Sequence, residues 1–90
     1  MLFLTDLNDT SDYMTSADYK ERFIAEYSQV SIRALRLESM LDKYDKNALD
    51  FTPASPRELL KAQLNVMSEY REILKKRAVI ENIELPEVEL

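Results

Sequence analysis

The sequence predicts an all-α protein: an antiparallel two-helix hairpin with a short N-terminal segment, assembled into a helical homo-oligomer. Three observations carry this. Phe23, Tyr27, Val30, Ala34, Leu37, Leu41 and Tyr44 alternate spacings of four and three, the rhythm of a coiled-coil-like helix face. A second helical pattern follows, with apolar residues on two neighbouring seams. Leu60, Leu64, Met67, Leu74 and Ala78 form one; Leu59, Val66, Tyr70, Ile73 and Ile80 form the other. Finally, the chain has 90 residues and no glycine, which leaves one small domain and removes the usual positive-φ turn residue.

The elements follow in order. Residues 1–15 read as an N-terminal arm, loose or briefly helical, because turn and cap formers dominate it. Thr15 to Asp18 spells a capping box, with Ser16 as the competing N-cap. The first long helix is expected over about 17–44, a rod of about 42 Å. In the connection DKNALDFTPASP, Asn47 can end a helix where glycine is missing. Pro53 and Pro56 bias Thr52 and Ser55 away from helical backbone. The stretch SPRE then restarts the chain, with Ser55 as N-cap, Pro56 at the first helical position and Glu58 three residues after the cap. The second long helix is expected over about 56–81, so the hairpin occupies 16–82. The acidic tail 83–90, IELPEVEL, alternates Glu with apolar residues and reads as an added strand, a docking peptide or a disordered end.

A lone hairpin of this size buries too little apolar surface to offset backbone ordering, at roughly 1–2 kcal/mol per residue. One seam of the second helix therefore meets the first helix, and the other needs a cover. Another subunit is the expected one. The alternative is that the N-terminal residues Leu2, Phe3, Leu4, Leu7 and Met14 fold back over it.

Composition excludes several function classes. With no cysteine and no histidine, zinc sites, thiol nucleophiles and Ser-His-Asp triads are out. Without glycine there is no phosphate-cradling loop or dinucleotide fingerprint. MLFL is too short for a secretory signal, and no run approaches the ~20 apolar residues of a membrane helix. A cytoplasmic location and no membrane partner are expected. No acidic pair sits in a cleft-like setting, and no Lys or Ser has an evident base beside it. A non-enzyme is expected, with no catalytic residues, cofactor or metal.

Charge is divided along the chain. Residues 1–18 and 81–90 each carry −4, whereas 19–44 carry +1 and 56–80 carry +3. A basic body with acidic ends is a poor binder of duplex nucleic acid, which demands a broad positive face; it is compatible with a small anion held by a few arginines, and a plain solvated surface is the alternative. Lys75, Lys76 and Arg77 also complement a helix C-terminus. Three details stand out as candidate ligand contacts. Ser28, like Ser31, is small and lies beside the first seam, where a backbone or a ligand can come close. Arg33 flanks that seam and can take a phosphate or pair with Glu38 or Glu69. Tyr13 lies in a polar lead-in and can stack on a base or anchor the arm.

At LLKAQLNVMSEYREILKKRAVI the chain resembles small phage-encoded helical-hairpin proteins that counter the CBASS and Thoeris bacterial defences. Leu60, Gln63, Met67, Tyr70, Ile73, Leu74 and Arg77 carry the likeness. The stretch ERFIAEYSQVSIRALRLESML adds Glu26, Arg33, Leu37 and Leu41, and the resemblance covers about residues 13–80. It implies a compact homo-oligomer, typically a hexamer, that captures cyclic oligonucleotides or cyclic ADP-ribose isomers between subunits without cleaving them. It also implies a ligand-binding tyrosine ahead of the first long helix, matched by Tyr13. About fifteen residues later the anti-CBASS members use a lysine. Ser28 stands there, so this chain departs from the pattern, and Arg33 is the nearby residue that can supply the charge. Arg77 matches a basic position late in the second helix. The alternative function is a protein-interaction module, such as an inhibitor of a host nuclease or defence protein, or a phage regulatory adaptor.

Overall fold

Two long stretches of helix-forming residues dictate the architecture, and their ends are set by local chemistry. The computed structural model describes residues 3–4, through their backbone, and residues 6–88. Met1, Leu2, Thr5, Glu89 and Leu90 lie outside the described residues, as do the side chains of Phe3 and Leu4. In chain order the elements are β1 (Phe3–Leu4), a 3-10 turn (Leu7–Thr10), α1 (Ser11–Met14), α2 (Tyr19–Asp45), α3 (Arg57–Glu81) and β2 (Glu87–Val88). The molecule is mostly helical and measures 42 × 23 × 21 Å.

Asp18, not Ser16, caps α2. Its carboxylate accepts the amide of Lys20 at 2.9 Å, placing a negative charge at the positive end of the helix. Ser16 supports this cap from outside the helix, accepting the Asp18 amide and donating to Glu21. The Thr15–Asp18 box does not form, because the Thr15 hydroxyl bonds back to the Ser11 carbonyl. Both long helices end on asparagine. Asn47 and Asn82 take positive φ of 56° and 60°, and the next amides, Ala48 and Ile83, reach back to the carbonyls of Lys43 and Ala78. This is the left-handed termination usually built with glycine.

The start of α3 differs from expectation. Pro56 is the N-cap, with no side-chain cap bond, and Ser55 does not fill that role. The junction is held by Arg57 instead, which grips Asp45 through two hydrogen bonds of 2.7 and 2.8 Å. The Arg57 hydrogen bonds hold the Asp45 carboxyl below its ordinary pKa. A bidentate pair across the loop thus ties the end of α2 to the beginning of α3.

From that tie α3 runs back along α2. Phe23, Tyr27 and Val30 pack with Leu74, Ala78 and Ile83 in one apolar cluster, and Ala34 and Leu41 with Leu64 in another. Met67 borders both. The first seam of α3 is therefore the one α2 covers. Tyr44, last in the α2 seam, is 41% exposed.

The opposite side of α2 is buried as well. Ala25, Ser28 and Ile32 are at most 1% exposed, and they lie roughly half a helical turn round from the seam that meets α3. The 3-10 turn and α1 pack on α2, and neither packs extensively on α3. The N-terminal arm does fold back, but over the first long helix rather than over the spare seam of the second. That spare seam stays open: Leu59, Val66, Tyr70, Ile73 and Ile80 are all exposed.

The chain ends add a feature that an all-α reading lacks. Phe3 and Leu4 pair in parallel with Glu87 and Val88. Ile83 and Pro86 are buried, and Leu85 and Val88 lean on the core cluster. Within the alternating tail, Glu87–Val88 form an added strand.

Leu74 is 1% exposed at the centre of the larger cluster. Leu74→Ala is expected to lower the unfolding free energy by about 2–5 kcal/mol, measured by urea denaturation followed by circular dichroism.

Candidate functional site

The apolar seam of α3 has a gap. Counting from Leu60 through Leu64 and Met67, the next seam position is Arg71, followed by Leu74 and Ala78. Arg71 is half-buried, and its Nε donates to the hydroxyl of Ser31 at 3.0 Å. Ser31 is fully buried on α2. This polar contact sits between the two apolar clusters. Among the described residues Arg71 has no carboxylate partner. A guanidinium has five N–H donors in a planar fork, so most of its hydrogen-bonding capacity is uncommitted. Arg71 is not among the sequence-based candidates, because the seam is read there for its apolar members. The signal was the one charged residue at a seam position.

The four positions singled out from sequence are scattered in a single chain. Ser28 is fully buried, and its hydroxyl donates to the Ile24 carbonyl at 2.6 Å. It offers no surface here; its small size suits the face on which the arm lies. Tyr13 is half-buried on α1. Arg33 is exposed, and among the described residues it makes neither a hydrogen bond nor an ion pair, so the pairing with Glu38 or Glu69 is not made. Arg33 and Arg71 lie on opposite flanks of α2, since Ser31 and Arg33 are roughly 200° apart on the helix.

Arg77 is engaged elsewhere. Its Nε bonds Glu81 at 2.7 Å, and its guanidinium lies 4.9 Å from the centre of the Phe23 ring. The bond to Glu81 raises its pKa further. A second tie spans the helices nearby, where the Tyr70 hydroxyl donates to Glu26. Further along the open seam, Leu59, Ala62, Gln63, Val66 and Met67 line a shallow, almost wholly apolar groove.

Residues 17–80 match the model of the Sequestin family. The chain belongs to the Sequestin family. That assignment agrees with the resemblance drawn from the two long helices, and the family name denotes a sequestering, binding role. The matched stretch takes in α2 and nearly all of α3, including Arg33, Ser31, Arg71 and Arg77. It leaves out the arm that carries Tyr13. No curated protein and no solved structure matches the chain.

Within this Sequestin chain the Arg71–Ser31 contact has two energetic faces. A half-buried guanidinium without a counter-ion costs desolvation, whereas losing it alone leaves a buried hydroxyl unpaired. Arg71→Met is expected to destabilise by about 1–3 kcal/mol. The pair Arg71→Met/Ser31→Ala is expected to lie within about 1 kcal/mol of the parent, because both polar partners leave together. Chemical denaturation of the two variants and the parent makes the comparison.

Proposed function

We propose that the chain is a phage-type immune-evasion protein. It binds and sequesters cyclic nucleotide second messengers, either cyclic oligonucleotides or cyclic ADP-ribose isomers, and does not cleave them. The observation that carries the proposal is the uncovered second seam of α3 in a member of the Sequestin family. Five exposed apolar residues on one helix face are what a second copy would cover, as in other helical assemblies.

In this reading the chain works as a homo-oligomer in the host cytoplasm, with the hexamer of the resembling proteins as the reference state. Binding sites form where subunits meet. The scatter of Tyr13, Arg33 and Arg71 over one chain fits such sites, since a neighbour's copy can complete what a single chain leaves apart. Tyr13 stacks on a base, while Arg71 and Arg33 neutralise phosphate charge through guanidinium hydrogen bonds. Arg77 contributes less, being held by Glu81 and Phe23. Sites preformed by rigid helices spare the ligand an ordering cost.

A second reading has its own support. The groove at Leu59, Val66 and Met67 is almost entirely apolar, which suits an apolar side chain of a partner protein better than a nucleotide. In that case the chain is an interaction module that inhibits a host nuclease or defence protein, or acts as a phage regulatory adaptor.

Calorimetric titration with cyclic dinucleotides, cyclic trinucleotides and cyclic ADP-ribose isomers separates the two, read together with the mass of the native particle. The sponge reading expects an oligomer, at least one binding isotherm and unchanged ligand on recovery. Arg71→Met/Ser31→Ala should then weaken binding by roughly tenfold or more. A monomer that is silent across the panel removes the sponge reading and leaves the interaction module.

A further inference from the structure

A four-residue helix such as α1 has no stability of its own, so its place on α2 must come from specific contacts. One side chain supplies them at both ends. The Nε2 of Gln29 donates to Thr10 Oγ1 at 3.0 Å and lies 3.3 Å from the sulfur of Met14. Thr10 immediately precedes α1, Met14 is its last residue, and Tyr13 lies between them.

The Thr10 end is well determined. Thr10 is 1% exposed, and its hydroxyl gives its proton to the Leu7 carbonyl at 2.7 Å. The oxygen can therefore only accept from Gln29, and the amide must present its NH2 group. Neither a carboxylate nor an aliphatic side chain of similar size can do this. The same bond reaches the preceding turn, because Leu7 and Thr10 bound the 3-10 segment. Gln29 is itself half-buried on the arm-facing side of α2, where the small residues Ala25 and Ser28 are also buried.

We infer that Gln29 is a positioning residue: through Thr10 and Met14 it latches the N-terminal arm onto α2 and so sets where Tyr13 stands. The part of this inference that concerns ligand rests on the proposed role of Tyr13; the latch itself does not. The two arm residues it holds, Thr10 and Met14, lie outside the Sequestin match, whereas Gln29 lies inside it.

Hydrogen exchange and tyrosine-ring NMR on the full-length chain test it, with Gln29→Leu and Thr10→Val. In both variants the amides of residues 8–15 are expected to lose protection by roughly tenfold or more. The α2–α3 amides around Val30 and Leu74 should keep theirs. The double variant should loosen the arm no further than the more affected single one, because the two share one bond. Ring signals of Tyr13 are expected to move toward their unfolded positions, while those of Tyr27, buried in the core, stay in place. Unchanged protection in the arm would overturn the inference. So would a loss spread evenly over α2 and α3, or a Tyr13 ring that does not shift. Neither readout uses a nucleotide, so a silent ligand titration strikes the proposed function and leaves the latch to its own result.

Discussion

A helix with apolar or small residues on two opposite faces is stable only between two neighbours, and α2 is such a helix. Phe23, Tyr27, Val30 and Ala34 face α3; Ala25, Ser28 and Ile32 face the other way, and all seven are buried. The rest of the molecule follows from that double burial. α3 takes the first face and the arm takes the second. Because the arm is used up on α2, nothing described in the chain is left to cover the outer seam of α3. The unfinished surface is thus a consequence of how the central helix is satisfied.

That surface and the polar break in the seam act on different scales. Fully burying one Val, Leu or Ile side chain is worth about 1.5–3 kcal/mol, so the open seam is a large reservoir for assembly. Arg71 is a local exception within the seam already buried. It interrupts the apolar seam, and among the described residues it has no carboxylate partner. In the proposed sponge reading this is the group that takes an anion. Arg57 and Arg77 show the contrast, since each is matched by a carboxylate at 2.7 Å.

Much of the fold was legible because its signals are periodic. The spacing of Phe23 to Leu41 named the buried face of α2, and the division of α3 into two seams separated the covered residues from the open ones. The Asn47 termination was readable from the absence of glycine, whereas the same role of Asn82 was not drawn. What escaped was set by tertiary context. Ser55 looked like a cap, yet the junction is held by Arg57 paired with Asp45, twelve residues earlier in the chain. The destination of the arm could not be read, since Leu7 and Met14 carry no period that distinguishes one helix from the other. For the candidate site, Arg33 and Tyr13 were visible as residues out of place. Arg71 was hidden inside a pattern that was read for its apolar members only.

The two acidic ends give the arrangement its last constraint. β1 and β2 lie side by side, which brings the aspartate-rich arm and the glutamate-rich tail to one end of the rod. Like charges brought together oppose the pairing, and the strand contact is only two residues long. The pairing therefore depends on the apolar anchors behind it, Ile83 in the core cluster and Leu85 and Val88 against it, and on the Lys20 ammonium, which donates to the Asn82 carbonyl at 3.3 Å. The arm is thereby held at two places by different physics, by amide hydrogen bonding from Gln29 in its middle and by tail packing at its tip. In the proposed sponge reading, Arg33 and Arg71, on opposite flanks of α2, are each completed by a neighbouring copy, which the open seam of α3 would bring.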